Sequence, residues 1–191
     1  MTLARKSTNV RRIRPHNAGP AAVWSSGGAA YDEVSRGILD AIEHAVNRLE
    51  PAPGMHILDV ATGTGWAARR LAERGLDVTG TDFAPDLLTA ARNLASARGL
   101  EVPFFEEDAE TLPFDDGAFD AVISTFGVMF VQRPEDAAAE LARVCRPGGR
   151  AASAGQRGSS RASRISRALS RSSSRMPSLL SEIPSRAWLS N

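Results

Sequence analysis

Residues 56–75 read His56-Ile57-Leu58-Asp59-Val60-Ala61-Thr62-Gly63-Thr64-Gly65-Trp66-Ala67-Ala68-Arg69-Arg70-Leu71-Ala72-Glu73-Arg74-Gly75. The first five form a short apolar run, read as a buried strand. Ala61 to Gly65 is a turn. Gly63 and Gly65 remove side chains where the backbone must bend and approach a ligand closely. Trp66 to Arg74 has helical spacing and closes at Gly75. A helix starting there aims its free amides at whatever lies before it.

The same alternation continues downstream. Asp77 to Asp82 reads as a second strand. Pro85 suits a helix's first turn, and Asp86 to Arg98 continues that helix to Gly99. Val102 to Glu106 reads as a third strand. Phe119 to Thr125 is a fourth, apolar on both faces as a central parallel strand should be. Pro134 to Val144 is a helix, ended by Arg146-Pro147-Gly148-Gly149. Strand, helix, strand, helix at this rhythm predicts an α/β fold, a Rossmann-like doubly wound sheet with right-handed crossovers. Upstream, Val34, Ile38, Leu39, Ile42, Val46 and Leu49 fall on one helical stripe from Tyr31 to Leu49, stopped by Pro51 and Pro53.

Charge divides the 191 residues into three. Residues 1–20 hold five basic residues and no acid, and read as a disordered basic arm. Residues 21–150 hold 11 basic and 21 acidic residues and carry the expected folded domain. Residues 151–191 hold seven arginines, one acid and thirteen serines, and read as a mostly disordered Ser/Arg-rich tail. Because residues 151–164 lack every bulky apolar type, the sheet is expected to stop after strand 4 or 5. The chain has 22 arginines against one lysine, which points to GC-rich coding, and the abrupt change after Arg150 has the composition of a shifted reading frame. Translating the neighbouring frame past codon 150 tests this; no apolar strand pattern there would end the idea.

Other classes are excluded or disfavoured. The lone Cys145 rules out an internal disulfide framework and a cysteine-rich metal site. No apolar run reaches the roughly 20 residues of a membrane span, and residues 1–10 lack a secretory core, so a cytoplasmic setting without membrane contact is expected. His16, His44 and His56 have no partner at metal-ligand spacing. Arg161 to Arg175 could contact nucleic acid through counterion release, but lacks interleaved aromatics, so that partner is not favoured.

The glycine turn alone leaves the ligand open. Gly63-Thr64-Gly65-Trp66-Ala67-Ala68 also satisfies the dinucleotide pattern Gly-x-Gly-x-x-Ala, and a tight turn with no ligand has the same glycines. Asp82 ends the second strand 17 residues after Gly65, where a carboxylate can accept from ribose hydroxyls.

Four blocks in order separate these readings. They are Ile57 to Gly65, then Val78-Thr79-Gly80-Thr81-Asp82-Phe83-Ala84, then Asp108-Ala109-Glu110-Thr111-Leu112-Pro113-Phe114 leading into Phe119-Asp120, then Leu141 to Gly149. With them the sequence resembles class I S-adenosylmethionine-dependent methyltransferases, in particular the small-molecule methyltransferases of the ubiquinone/menaquinone type. The resemblance covers residues 24 to 150 and departs from the family's seven-stranded sheet after that.

The resemblance implies a set of site residues. Ala61, Thr62, Gly63 and Gly65 would lie against the methionine part of the cofactor, and Asp59 would stabilise the turn or reach the methionine amino group. Asp82 would bind the ribose, with Phe83 beside the adenine. Asp108 would accept from the adenine amino group, with Ala109 in the same pocket. Ser124 and Thr125 would line the methyl-donor side, and Tyr31 would close over the cofactor, with Trp24 a weaker candidate. No catalytic residue and no metal is implied. The implied reaction is methyl transfer to a small-molecule acceptor. An incomplete domain with weak cofactor binding and an NAD-dependent oxidoreductase are the alternatives.

Overall fold

The computed structural model describes residues 13–156 and 178–183. In chain order the elements are α1 (Ala18–Ser25), α2 (Tyr31–Arg36), α3 (Leu39–Arg48), β1 (His56–Val60), α4 (Trp66–Ala72) and β2 (Asp77–Asp82). They continue with α5 (Pro85–Ser96), β3 (Phe104–Glu106), β4 (Phe119–Thr125), α6 (Pro134–Val144), β5 (Cys145–Gln156) and β6 (Ser178–Ile183). The strand order is β3-β2-β1-β4-β5-β6, and every pairing is parallel. The order reverses between β1 and β4. A sheet of this kind opens its ligand crevice at that point, outside the carboxyl ends of the strands.

The core has two layers, one on each face of the sheet. Ile57, Val78, Phe104, Ala121, Ile123 and Ala152 point to one face, where they meet Ile42 and Val46 of α3, Leu71 of α4 and Leu88 of α5. Leu58, Val60, Phe119 and Val122 point to the other, against Phe114, Leu141 and Val144. Alternation along β1 and β4 thus feeds both layers, as a strand buried on both faces requires. No helix of the described residues is long and apolar enough to cross a membrane.

Several features differ from the sequence expectation. First, the helix expected from Tyr31 to Leu49 breaks at Gly37-Ile38, so Val34 turns away from the stripe and is exposed. Second, β5 runs six residues past the boundary expected at 150. Ala151, Ala152, Ser153 and Ala154 are all buried, and Ser124 and Thr125 of β4 pair with Ser153 and Ala154. The ladder uses backbone groups that any non-proline residue supplies, and alanine lets α3 approach closely. Third, Arg146 to Gly149 do not end the helix as a loop. They bulge out within β5, between the pairs Phe119–Cys145 and Ala121–Arg150. Fourth, β6 lies inside the segment expected to be disordered, and pairs with Ala151 to Gln156. The remainder of that tail, and residues 1–12 of the basic arm, lie outside the described residues.

The arm expected to be disordered to residue 20 is ordered from residue 13. A short turn at Pro15–Asn17 leads into α1. Asn17 is fully buried, and both ends of α1 are tied to the rest of the fold. At its far end Ser25 Oγ donates to Asp86 at 2.9 Å and accepts from the Asp86 backbone N–H at 3.0 Å. That bond satisfies an amide in the first turn of α5.

Candidate cofactor site

The turn after β1 curls because Ala61, Gly63 and Gly65 have φ of 55°, 58° and 83°. Its start stays in the sheet, since the Thr62 N–H donates to the Thr81 carbonyl. Asp59 holds the turn from beneath. Its Oδ2 accepts from Thr62 Oγ1 at 2.5 Å and from the Ala68 N–H at 3.1 Å. Its Oδ1 is buried with no partner among the described residues. Burial, with a smaller push from Asp82, raises its pKa to about 7 despite those two bonds.

Asp82 ends β2 facing the same turn. The Gly63 N–H donates to its Oδ2 at 2.8 Å and the Ala84 N–H to its Oδ1 at 2.9 Å. Burial raises its pKa to about 6, against the pull of those backbone donors. Each oxygen keeps a lone pair for a further donor. Tyr31 covers the turn, its ring carbons 3.6 and 3.9 Å from where a Cβ on Gly63 would stand. Burial and the Asp82 charge raise the Tyr31 pKa, so its hydroxyl keeps its proton.

These residues line a cleft holding about 750 Å³ of empty space, open solvent at its mouth included. Ligand clefts have this scale. Of the twelve residues anticipated from the sequence, eight are on its wall: Tyr31, Ala61, Thr62, Gly63, Asp82, Phe83, Ala109 and Thr125. The other four are not. Asp59 sits under the turn. Gly65 faces the Phe104 ring. Ser124 is fully buried, its Oγ accepting from the Val128 N–H at 3.4 Å. Asp108 is fully buried and accepts from the Arg14 N–H, the Asn17 side-chain amide and the Glu110 N–H. Its neighbour Glu107 lines the cleft instead.

Residues 58–153 match the family described as "Methyltransferase domain". The chain belongs to that family. It is 57% identical over 104 residues to a demethylmenaquinone methyltransferase of Thermus thermophilus, covering 53% of this chain and 47% of that one. It is 40% identical over 105 residues to the demethylmenaquinone methyltransferase of Renibacterium salmoninarum, covering 55% and 43%. Among solved structures, a putative methyltransferase of Bacillus halodurans superposes with a TM-score of 0.54 at 27% identity, covering 56% and 47%. Phosphoethanolamine N-methyltransferase 2 of Haemonchus contortus, in complex with phosphomonomethylethanolamine and S-adenosylhomocysteine, gives 0.54 at 25%, covering 58% and 26%. The chain spans less than half the length of each of these relatives.

In this methyltransferase domain the cleft's chemistry is one-sided. Among the described residues its wall holds two acids, Asp82 and Glu107, and no lysine, arginine or histidine. Six aromatic residues, Trp24, Tyr31, Trp66, Phe83, Phe126 and Phe130, line it as well. Trp24 meets Tyr31 edge-on at 5.5 Å and Phe130 at 4.9 Å. Sequence reading did not single out Phe126 for the site, yet this residue lines the cleft just after β4. It also passed over Ser35, Ile38 and Ile42, the helix residue Leu87, and Gly127, Phe130 and Val131 beyond β4. The position of Val128–Phe130, directly after the carboxyl end of a central strand, is the signal that could have found the last group. Among the described residues no three metal-ligating side chains gather.

Proposed function

We propose that this chain binds S-adenosylmethionine in the cleft and directs its methyl group to a small apolar acceptor. The observation that carries this reading is Asp82 at the end of β2, a buried carboxylate that faces the glycine turn with acceptor capacity to spare. S-adenosylmethionine is a sulfonium cation without phosphate, so its recognition needs acceptors for ribose and ammonium. A dinucleotide would set its pyrophosphate near the buried Asp82 carboxylate, which opposes a second anion there.

The residues fit the cofactor in three respects. Asp82 presents two oxygens that still have acceptor capacity, where two ribose hydroxyls would donate. The turn from Ala61 to Gly65 leaves backbone bare beneath the Tyr31 ring, where the methionine part would lie. Phe83, Leu87 and Ala109 supply an apolar wall for adenine, with Glu107 as the acid beside it. When bound, the cofactor supplies a methyl group already activated by its sulfonium.

The chain's own task is then positioning and exclusion of water. Trp24, Tyr31 and Phe130 close the mouth with apolar surface. Tyr31 holds its proton and so serves as a donor. The demethylmenaquinone methyltransferase relatives and this aromatic mouth together support a ring-bearing, uncharged acceptor.

Calorimetry of the full chain with S-adenosylmethionine, S-adenosylhomocysteine and NAD tests the reading. Heat with the first two and none with NAD is expected. Binding of NAD alone would overturn it.

A further inference from the structure

Asp32 follows Tyr31 in the first turn of α2, and its side chain points the opposite way, into the protein. Its Oδ1 accepts from Thr64 Oγ1 at 2.9 Å and from Arg69 Nη2 at 3.1 Å. Its backbone carbonyl accepts from Trp66 Nε1 at 3.4 Å. Arg69 Nη1 donates to the Thr64 carbonyl. The Arg69 guanidinium also lies 4.7 Å from the centre of the Trp66 ring. One buried unit thus ties α2 to the middle of the glycine turn and to two residues of α4.

This unit is costly for what the fold alone requires. The Arg69 side chain is 1% exposed and that of Asp32 is 12% exposed. Arg69 Nε is buried without a partner among the described residues. An ion pair taken out of water is rarely more stabilising than well-packed apolar residues of the same volume, whereas it does fix one geometry. The geometry fixed here is that of Tyr31, whose ring lies over Gly63 with no side-chain hydrogen bond to hold it among those described.

We propose that Asp32 and Arg69 are positioning residues that hold the Tyr31 ring against the glycine turn, so that the cleft is pre-formed for its ligand. This rests on the cofactor reading above for its functional consequence, and on the contacts alone for its structural part. The network acts through Thr64: a ligand pressing on the turn and the ring that covers it share one anchor. Preorganisation of this kind lowers the ordering cost at binding.

The test uses the fact that Tyr31 is the chain's single tyrosine. Full-length protein labelled with 3-fluorotyrosine gives one fluorine resonance that reports this ring. The double variant Asp32→Asn/Arg69→Met removes both charges together and leaves no buried charge alone. Thr64→Val removes one bond and keeps the ion pair, as a second variant that spares the fold. Both are expected to move the resonance toward that of free fluorotyrosine with circular dichroism unchanged. Both are expected to weaken S-adenosylmethionine binding about tenfold to a hundredfold, as displacement of a positioned group does. In a Tyr31→Ala background the same changes should weaken it no further. An unmoved resonance in both folded variants, or an undiminished loss of affinity in the Tyr31→Ala background, overturns the proposal. A resonance that moves in a chain that does not bind S-adenosylmethionine sinks the cofactor reading and leaves the positioning of Tyr31 standing.

Discussion

The side-chain amide of Asn17 donates to both carboxylate oxygens of Asp108, at 2.9 and 3.1 Å, across 91 residues of sequence. The Arg14 backbone N–H completes the grip on the same group at 3.0 Å. Two residues on, Glu110 is held from the same segment, with His16 Nε2 at 2.7 Å from its Oε2. The acids of the Asp-Ala-Glu block are therefore anchors for the segment that leads into α1 and sets Trp24 at the mouth of the cleft.

Removing an anchor should loosen the strap. Asp108→Ala leaves buried donors on Asn17, Arg14 and Glu110 unsatisfied, at a cost of about 2–4 kcal/mol. The expected result is a lower melting temperature and faster chymotryptic cleavage after Trp24 in α1. Asn17→Ala should act in the same direction while keeping the carboxylate. If Asp108 instead contacted the ligand directly, Asn17→Ala would leave ligand affinity intact, and calorimetry on both variants separates the cases.

Affinity for S-adenosylmethionine should depend on pH through Asp82. A ribose hydroxyl donates to the carboxylate, so protonation opposes binding. With a pKa of about 6 in the free protein, affinity should be flat above pH 7 and fall by up to about tenfold per pH unit well below 6. Asp82→Asn should bind about tenfold to a hundredfold less tightly at neutral pH, with the pH dependence below 6 removed. A wild-type dissociation constant that is unchanged from pH 7.5 to 5 would rule out Asp82 as an acceptor in that complex.

The elements that were legible are those with punctuation. Asp77–Asp82, Phe119–Thr125 and Pro134–Val144 match their sequence limits because Gly75, Pro85 and Pro134 mark them and their apolar runs are dense. Strand β5 was hidden because Ala151-Ala152-Ser153-Ala154 has no bulky side chain. Its burial is set by pairing with β4 and by cover from α3, neither of which is local. The strap was hidden because its anchors lie more than 90 residues away. In the site, the glycine turn, Asp82 and Tyr31 were legible from spacing and family pattern. The choice between Glu107 and Asp108 was not. Successive side chains leaving a strand point to opposite sides, so one residue of register decides which acid meets the cleft.

Gly127 is fixed by close approach. A Cβ there would stand 2.2 Å from the Ala61 Cβ and 2.8 Å from the Ala61 carbonyl oxygen. Gly127→Ala must separate the loop after β4 from the glycine turn, at about 1–3 kcal/mol of stability. It should also weaken ligand binding by moving Phe126 and Phe130. Ala61→Gly removes one of the two clashing carbons and suits a φ of 55°. The double variant should therefore recover part of the stability lost, measured by thermal unfolding. No recovery would mean that the carbonyl contact alone decides the cost.

Asp59 should make the protein less stable as pH rises toward neutrality. Its folded pKa of about 7 lies above its usual value of 3.8. Between those values the native state binds a proton that the unfolded state does not, so unfolding free energy falls with rising pH and levels off above 7. The limiting slope for one proton is about 1.4 kcal/mol per pH unit. Asp82 adds a slope of the same sign, but only up to its own value of about 6. The interval from pH 6 to 7 therefore isolates Asp59. Asp59→Asn cannot titrate, and its amide oxygen can still accept from Thr62 and Ala68. Urea unfolding should show the slope between pH 6 and 7 in the wild type and lose it in Asp59→Asn, while the slope below 6 persists. The penalty of the substitution should accordingly shrink from pH 5 to pH 8. An equal slope from 6 to 7 in both proteins would place the titrating group elsewhere.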